Sequence, residues 1–492
     1  MGDGDIVPYF RVTLQVNRKK TMYIVLTFCY NTSEIKATTK TKGTIMKKIM
    51  YLCATFIFIL ATAGLTNAAS AHTIRVGLVR AFENQYSISV ATTSIDVGRG
   101  TENGTFEYNR TLTSPDGFVI RVENGQVVVR ADGQTVFTFV NDVEGGRQIR
   151  ATDGSPLSMG AYSFRGVIEF RPSSGRVSAI NVICLEEYLY GVIAMEMSPT
   201  FYTEALRAQA VAARTFAMYT RHNSTYTSRG FDLCDRTCCQ AYRGAGREED
   251  VMVQAVRDTR GLMMFTDESE IPAFTPFFSS SGGSTDSSEN VWGGTVSHLR
   301  GISDHYEQNP RVWTRTYTWA QLTAAVQAQA PSANIGTVTG ISVASQQLGR
   351  VQELTFIGTN GQWTATRQTI LSVFRHIDRS LYSRNFYIEG GAPITDVLAD
   401  NEVPVINMQN LNGYANGQQN ATYVFDGVNT RLLTQSVTVS GGAGITINGR
   451  GWGHGVGMSQ NGANGMAQAG YNFLQILKHY YTGVTVREWI QF

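Results

Sequence analysis

One carboxyl stands in an apolar stretch. In YGVIAMEMSP, residues 190–199, Glu196 lies between Met195 and Met197 and three residues after Ile193. Burial disfavours the charged form of a carboxyl, so a group in such surroundings holds its proton toward neutral pH. A carboxylic acid kept protonated is what glycosidic cleavage requires of its general acid. The plainer reading is structural: Glu196 caps the helix that follows, or pairs with Arg207 or Arg214.

Three other stretches carry chemistry-bearing side chains. CDRTCC offers Cys234, Cys238 and Cys239, with His222 the nearest upstream imidazole. Zinc takes tetrahedral sulfur and nitrogen ligands, but this is not a paired C-x₂-C pattern, and a local disulfide from Cys234 fits equally well. The loop GRGWGHGVGMSQ lacks the Gly-Lys-Ser/Thr ending of a phosphate-binding loop and the strand–helix setting of a dinucleotide fingerprint. Its glycines allow close backbone approach while Trp452, His454 and Gln460 project. Indole beside polar groups suits a sugar, which is apolar on one face and hydroxyl-rich at its edge. SSSGGS, Ser279 to Ser284, lacks the G-x-S-x-G of a serine hydrolase and reads as a hydroxyl-rich turn lining a polar groove.

The elements that must position these groups are legible in part. The chain has 492 residues and a formal charge of +2, and this balance argues against nucleic acid as a partner. Met46-Lys47-Lys48, an apolar run and Ala69-Ser70-Ala71 together form a secretory signal peptide over 46–71, with translation expected to start at Met46 and residues 1–45 an extension outside the native protein. An uncleaved signal would instead be a membrane anchor. Both readings make the protein exported and extracytoplasmic. From 72 to about 184 the pattern alternates as antiparallel strands do, with hairpin turns at Asn124-Gly125 and Asp132-Gly133. TEALRAQAVAARTFAMYTRH has helical spacing, with Leu206, Ala210, Ala213 and Ala217 on one stripe. Residues 230–304 read as loop-rich, TWAQLTAAVQAQ and RQTILSVFRHI as helices, VQELTFIG as a strand, and 390–430 as an insertion loop. The C-terminus reads as a glycine-dense loop feeding one amphipathic helix. The fold class is α+β.

Taken in order, LEEYLYGVIAMEMSP, EALRAQAVAARTFAMY, CDRTCCQAYRG, SSSGGSTDSSENVW, the spaced GRV at 349–351, and GRGWGHGVGMSQNGANGMAQAGY with ILKHYYTGV resemble the SpoIID/LytB family of stage II sporulation protein D and the amidase enhancers. The resemblance spans about residue 74 to the C-terminus, with 72–184 the β-rich part of the family domain and 185–492 the remainder of that catalytic domain. It implies a lytic transglycosylase acting on peptidoglycan glycan strands stripped of stem peptides. Glu196 would be the acid/base and 1,6-anhydro-N-acetylmuramic acid ends the product. The matched segments place Tyr190, Arg214, Gln240, Ser280, Ser281, Trp452, His454 and Gln460 as substrate-binding candidates. No cofactor is needed for that chemistry. A structural zinc is implied for Cys234, Cys238, Cys239 and His222, although Cys238 stands where the family has histidine, and a disulfide remains open. Asn461 and Phe278 stand where the family more often has tyrosine and histidine. One carboxyl can serve both steps, with Glu186, Glu187 and Glu289 open as a second. The rival readings are a glycan-binding module that stimulates a cell-wall amidase without cleaving, and a zinc hydrolase built on the cysteines.

Overall fold

A computed structural model describes residues 73–101, 105–140, 146–266, 269–378, 381–389 and 437–489, and elsewhere only the backbone of four short strands. Two of those, Phe10–Val16 and Met22–Phe28, pair antiparallel within a separate N-terminal unit, residues 1–69. The leader expected at 46–71 and nearly all of the insertion loop expected near 390–430 lie outside the described residues.

Alternating apolar positions from residue 73 onward build two sheets. A seven-stranded sheet runs Leu233–Cys234, Thr73–Gly77, Arg176–Cys184, Val167–Ser173, Gln148–Ala151, Ser94–Gly100, Phe106–Thr113. A six-stranded antiparallel sheet runs Tyr162–Phe164, Leu157–Met159, Ser87–Val90, Phe118–Glu123, Gln126–Ala131, Gln134–Thr138. Asn124 and Gly125 (φ 49° and 80°) and Asp132 and Gly133 (φ 50° and 74°) make the expected tight turns. The two sheets share one core, to which Ile74, Ile95, Ile120 and Val129 contribute.

The first sheet runs straight into helix α1 (Leu185–Glu196), followed by α2 (Thr203–His222) and α3 (Asp250–Asp258). The helical spacing of 203–222 is thus realised in full. Its stripe of Leu206, Ala210, Ala213 and Ala217 is completely buried, because alanine lets neighbouring backbones come close. Helix α1 has no such signature. It is buried on most sides, through Leu185, Tyr188, Leu189, Val192 and Ile193, so its sequence shows no polar face to set a period. Gly191 is required there: a Cβ would lie 2.6 Å from the Gly244 carbonyl oxygen and 2.7 Å from the Tyr242 ring.

The loop-rich reading of 230–304 missed α3, the strand Leu262–Thr266 and the short helix α4 (Ser288–Trp292). A second core forms around α5 (Trp319–Gln329) and α6 (Gln368–Arg375), the helices expected there. Two sheets flank it: Val312–Thr318, Gly444–Arg450 and Phe386–Ile388 in one, and Gly361–Thr366, Arg350–Gly358, Val338–Gln347 and Val437–Ser440 in the other. The C-terminus holds two helices rather than one, α7 (Gln460–Gln468) and α8 (Phe473–Tyr480), and a final strand, Val484–Glu488, that pairs with Leu262–Thr266. Both helices have side-chain caps, Ser459 on the Gly462 N–H and Asn472 on the Gln475 N–H. None of the described helices is long and apolar enough to cross a membrane.

Candidate active site

Glu196 is the last residue of α1, not a loop residue entering α2. Its carboxyl is half-buried. Oε1 accepts the Ala241 N–H at 2.8 Å, and Oε2 accepts from Gln460 Nε2 at 3.4 Å. Both partners are neutral. Desolvation raises its pKa above the ordinary carboxylate range, and the two hydrogen bonds only partly offset it. Its place at the negative end of the α1 dipole, with no basic residue in the last turn, pushes the same way. Met195 lies one position away on the helix and so projects about 100° around the axis. The hydrogen-bond donors to the carboxyl come from distant segments, Ala241 and the start of α7.

The ion-pair reading fails for a specific reason. Arg214 is fully buried and forms a bidentate pair with Glu186, at 2.8 and 2.7 Å. Arg207 pairs with Glu204 and Asp258. Glu289 pairs with Arg300, so it and Glu186 are both committed. Among the described residues no carboxylate or cation bonds to Glu196.

The other candidates divide. Gln460 reaches Glu196, and Gln240 is buried one residue before Ala241, its amide nitrogen donating to the Ala213 carbonyl at 3.3 Å. Tyr190 is half-buried on α1 with the Arg257 guanidinium 5.9 Å from its ring. Arg214 cannot meet a ligand, because its guanidinium ties α2 to α1, to α3 through the Val256 carbonyl and to the Leu262 carbonyl. Ser280 and Ser281 are also buried rather than lining a groove. Ser281 Oγ donates to Glu307 at 2.6 Å, and Ser280 Oγ accepts the Arg311 N–H at 3.3 Å. The reason for the spaced GRV is visible here: buried Arg350 donates to the Ser281 and Ser284 carbonyls at 2.6 and 2.8 Å and holds the serine turn from below.

His454 is a scaffold residue. Its Nδ1 accepts the Val456 N–H and its Nε2 faces the Phe277 carbonyl, both at 3.1 Å, which makes it a neutral imidazole with Nε2 protonated. Burial lowers its pKa to about 4. Trp452 is the exposed aromatic of the glycine loop. Sequence reasoning missed Ala241, which acts through its backbone N–H and leaves no side-chain signal. It also missed Asp304, a buried acid that accepts from Tyr480 at 3.0 Å beside the serine turn.

The three thiols converge. Cys234 Sγ lies 3.0 Å from Cys238 Sγ and 3.3 Å from Cys239 Sγ, and the Cys234 N–H donates to Cys239 Sγ at 3.2 Å. His222 is exposed at the end of α2 and is not in this group. Tetrahedral zinc with Zn–S near 2.3 Å would set its sulfurs about 3.8 Å apart, so a small outward adjustment of the thiols would seat one ion. The cluster ends two residues before Ala241.

The family profile described as Stage II sporulation protein (SpoIID) matches residues 173–265, a span that holds Glu196, Arg214, the thiols and Ala241. An uncharacterised protein of Brachyspira hyodysenteriae is 29% identical over 67% of this chain and 74% of its own length. The amidase enhancer of Bacillus subtilis is 30% identical over 61% of this chain, though the match spans only 40% of that longer protein. Stage II sporulation protein D of the same species is 26% identical over 72% of this chain and 90% of its own length.

Proposed function

The chain belongs to the SpoIID/LytB family, and from that premise we propose that it is an exported lytic transglycosylase that cleaves peptidoglycan glycan strands with Glu196 as its acid and base. The observation that carries this reading is a half-buried carboxyl with a raised pKa, no ion-pair partner among the described residues, and two neutral donors ready to hold it once ionised. Protonated Glu196 donates to the glycosidic oxygen that follows N-acetylmuramic acid as the bond from C1 breaks. The carboxylate, held by the Ala241 N–H and the Gln460 amide, then takes the proton of that sugar's 6-hydroxyl as its oxygen attacks C1. The ring closes to the 1,6-anhydro product, Glu196 regains its proton, and no water is consumed. A second carboxylate is not needed, and of the three alternatives Glu186 and Glu289 are committed to arginines.

Digestion of peptide-free glycan in water labelled with heavy oxygen tests the reaction. The expected product lacks the label and is lighter by one water than the hydrolysed strand; labelled ends would mean hydrolysis. The rival, a glycan-binding amidase enhancer, is favoured by the relative of that name. It predicts no cleaved product at all, but a faster partner amidase.

The pH profile follows from the direction of the shift. Glu196 must enter the reaction protonated, so kcat/KM falls as pH rises through its raised pKa, and the alkaline limb lies above the ordinary carboxylate range. Gln460→Leu removes a donor that favours the carboxylate, so the limb moves further up. A limb that stays in place or moves down in this variant would exclude Gln460 from the site.

Cys234, Cys238 and Cys239 would hold one zinc ion in a structural role, beside the loop that carries Ala241. The expected metal content is one zinc per chain. Chelation should lower the melting temperature, while the protein that remains folded still releases anhydro ends. Immediate loss of turnover without loss of fold would instead favour the hydrolase reading.

A further inference from the structure

An aromatic and cationic platform lies where three distant segments meet. Trp452 is 37% exposed, and Tyr382 stacks on it with ring centroids 4.2 Å apart and planes 9° from parallel. Arg311 is exposed, with its guanidinium carbon 3.9 Å from the centre of the indole. The backbone fixes all three. Trp452 and Ser280 exchange N–H···O bonds, the Gly451 N–H donates to the Arg311 carbonyl at 2.7 Å, and the Gly453 N–H donates to the Tyr382 carbonyl at 2.9 Å. Arg315 donates to the Tyr382 hydroxyl at 2.8 Å and steadies that ring. Arg311 differs from its neighbour in one respect: among the described residues its guanidinium has no carboxylate and no hydrogen-bond acceptor.

A pre-ordered indole offers a surface to the apolar face of a pyranose. A guanidinium beside it, with its N–H groups unspent, offers a fork that fits a carboxylate. Together they describe a site for a sugar that bears an acid. The connection to the reactive carboxyl is direct in the chain. The glycine loop leads from Trp452 to Gln460, which donates to Glu196, and eight residues span at most about 28 Å. That is the reach of a few sugars along one strand.

We propose that Arg311 is a specificity-determining residue, and that with Trp452 and Tyr382 it forms a subsite for a muramyl residue whose lactyl carboxylate is free. This inference rests on the glycan reading of the Glu196 site. In a strand that carries stem peptides the lactyl carboxyl is an amide and has no charge for Arg311 to meet. In a stripped strand it is an anion. The platform therefore distinguishes the two at a point remote from the bond that breaks.

The test uses binding in the full chain carrying Glu196→Gln, so that turnover does not intervene. Two probes are compared: soluble peptide-free glycan strands with free lactyl acids, and the same strands with those acids converted to methylamides. Free-acid strands should bind about tenfold more tightly, the scale of one charge-assisted contact. Adding Arg311→Gln should remove that difference, by weakening the free-acid strand about tenfold and leaving the methylamide unchanged. Adding Trp452→Ala should weaken both. Equal weakening of both strands by Arg311→Gln, or no effect on either, overturns the proposal. Its failure is distinct from failure of the catalytic reading, which shows only as label in the product or as no cleavage by the unaltered protein.

Discussion

Glu196→Gln is expected to abolish release of anhydro ends and to leave the fold intact. The expected loss is about a thousandfold or more in kcat, because the amide can neither give nor take the proton and in the proposed reaction this carboxyl serves both steps. The stability sign can be worked out. The folded-state pKa of Glu196 is raised, so the stability it contributes is fully present at low pH and is lost as pH rises through that value. Glutamine carries no such dependence, so at neutral pH the variant should be as stable as the parent or slightly more so. Its carbonyl can keep the 2.8 Å bond from the Ala241 N–H, and Gln460 can turn its own amide to accept from the new nitrogen. Mass spectrometry of glycan digests, alongside a melting curve, reads both quantities. Undiminished anhydro product from a folded variant would remove Glu196 from the chemistry.

Arg214→Met is expected to fail in a different way. Arg214 has no exposed surface, and its partner Glu186 is nearly as buried. Removing one member of a buried pair leaves an uncompensated charge, at a cost of about 3–5 kcal/mol. The loss should appear in denaturant unfolding. The double variant Arg214→Met with Glu186→Leu should recover most of it, because well-packed apolar residues can replace such a pair at little cost. KM for glycan should not change in the fraction that remains folded. A stable Arg214→Met protein with a raised KM would return Arg214 to the substrate-binding role that its sequence position suggests.

The contrast between these two residues shows what a sequence conveys about a site. Both sit in matched motifs, and both are charged groups in apolar surroundings. Nothing local says which one is paired. The partner of Arg214 is 28 residues away on another helix, and the donors to Glu196 come from positions 241 and 460. The serines were misjudged for a related reason. A hydroxyl-rich turn reads as open, yet Arg350 and Glu307 draw Ser281 and its carbonyl inward. His454 resembled a ligand-facing residue, but both of its nitrogens are spent on backbone groups.

Local patterns were reliable wherever the energetics are local. The alternating strands, the two-residue turns with positive φ, the alanine-striped α2 and the helices α5 and α6 all show in the local spacing of residue types. Helix α1 was not legible, because an element buried on most sides has no solvent-facing side to mark its period. Residue order alone shows that one carboxyl stands among apolar neighbours, that three thiols lie within six residues, and that an indole rides a glycine-rich loop. That the carboxyl meets neutral donors instead of an arginine, that His222 stays apart from the thiols, and that Arg311 comes to rest on the indole are products of the three-dimensional fold. Desolvation and charge pairing depend on which segments are brought together across the fold, and spacing along the chain does not contain that information.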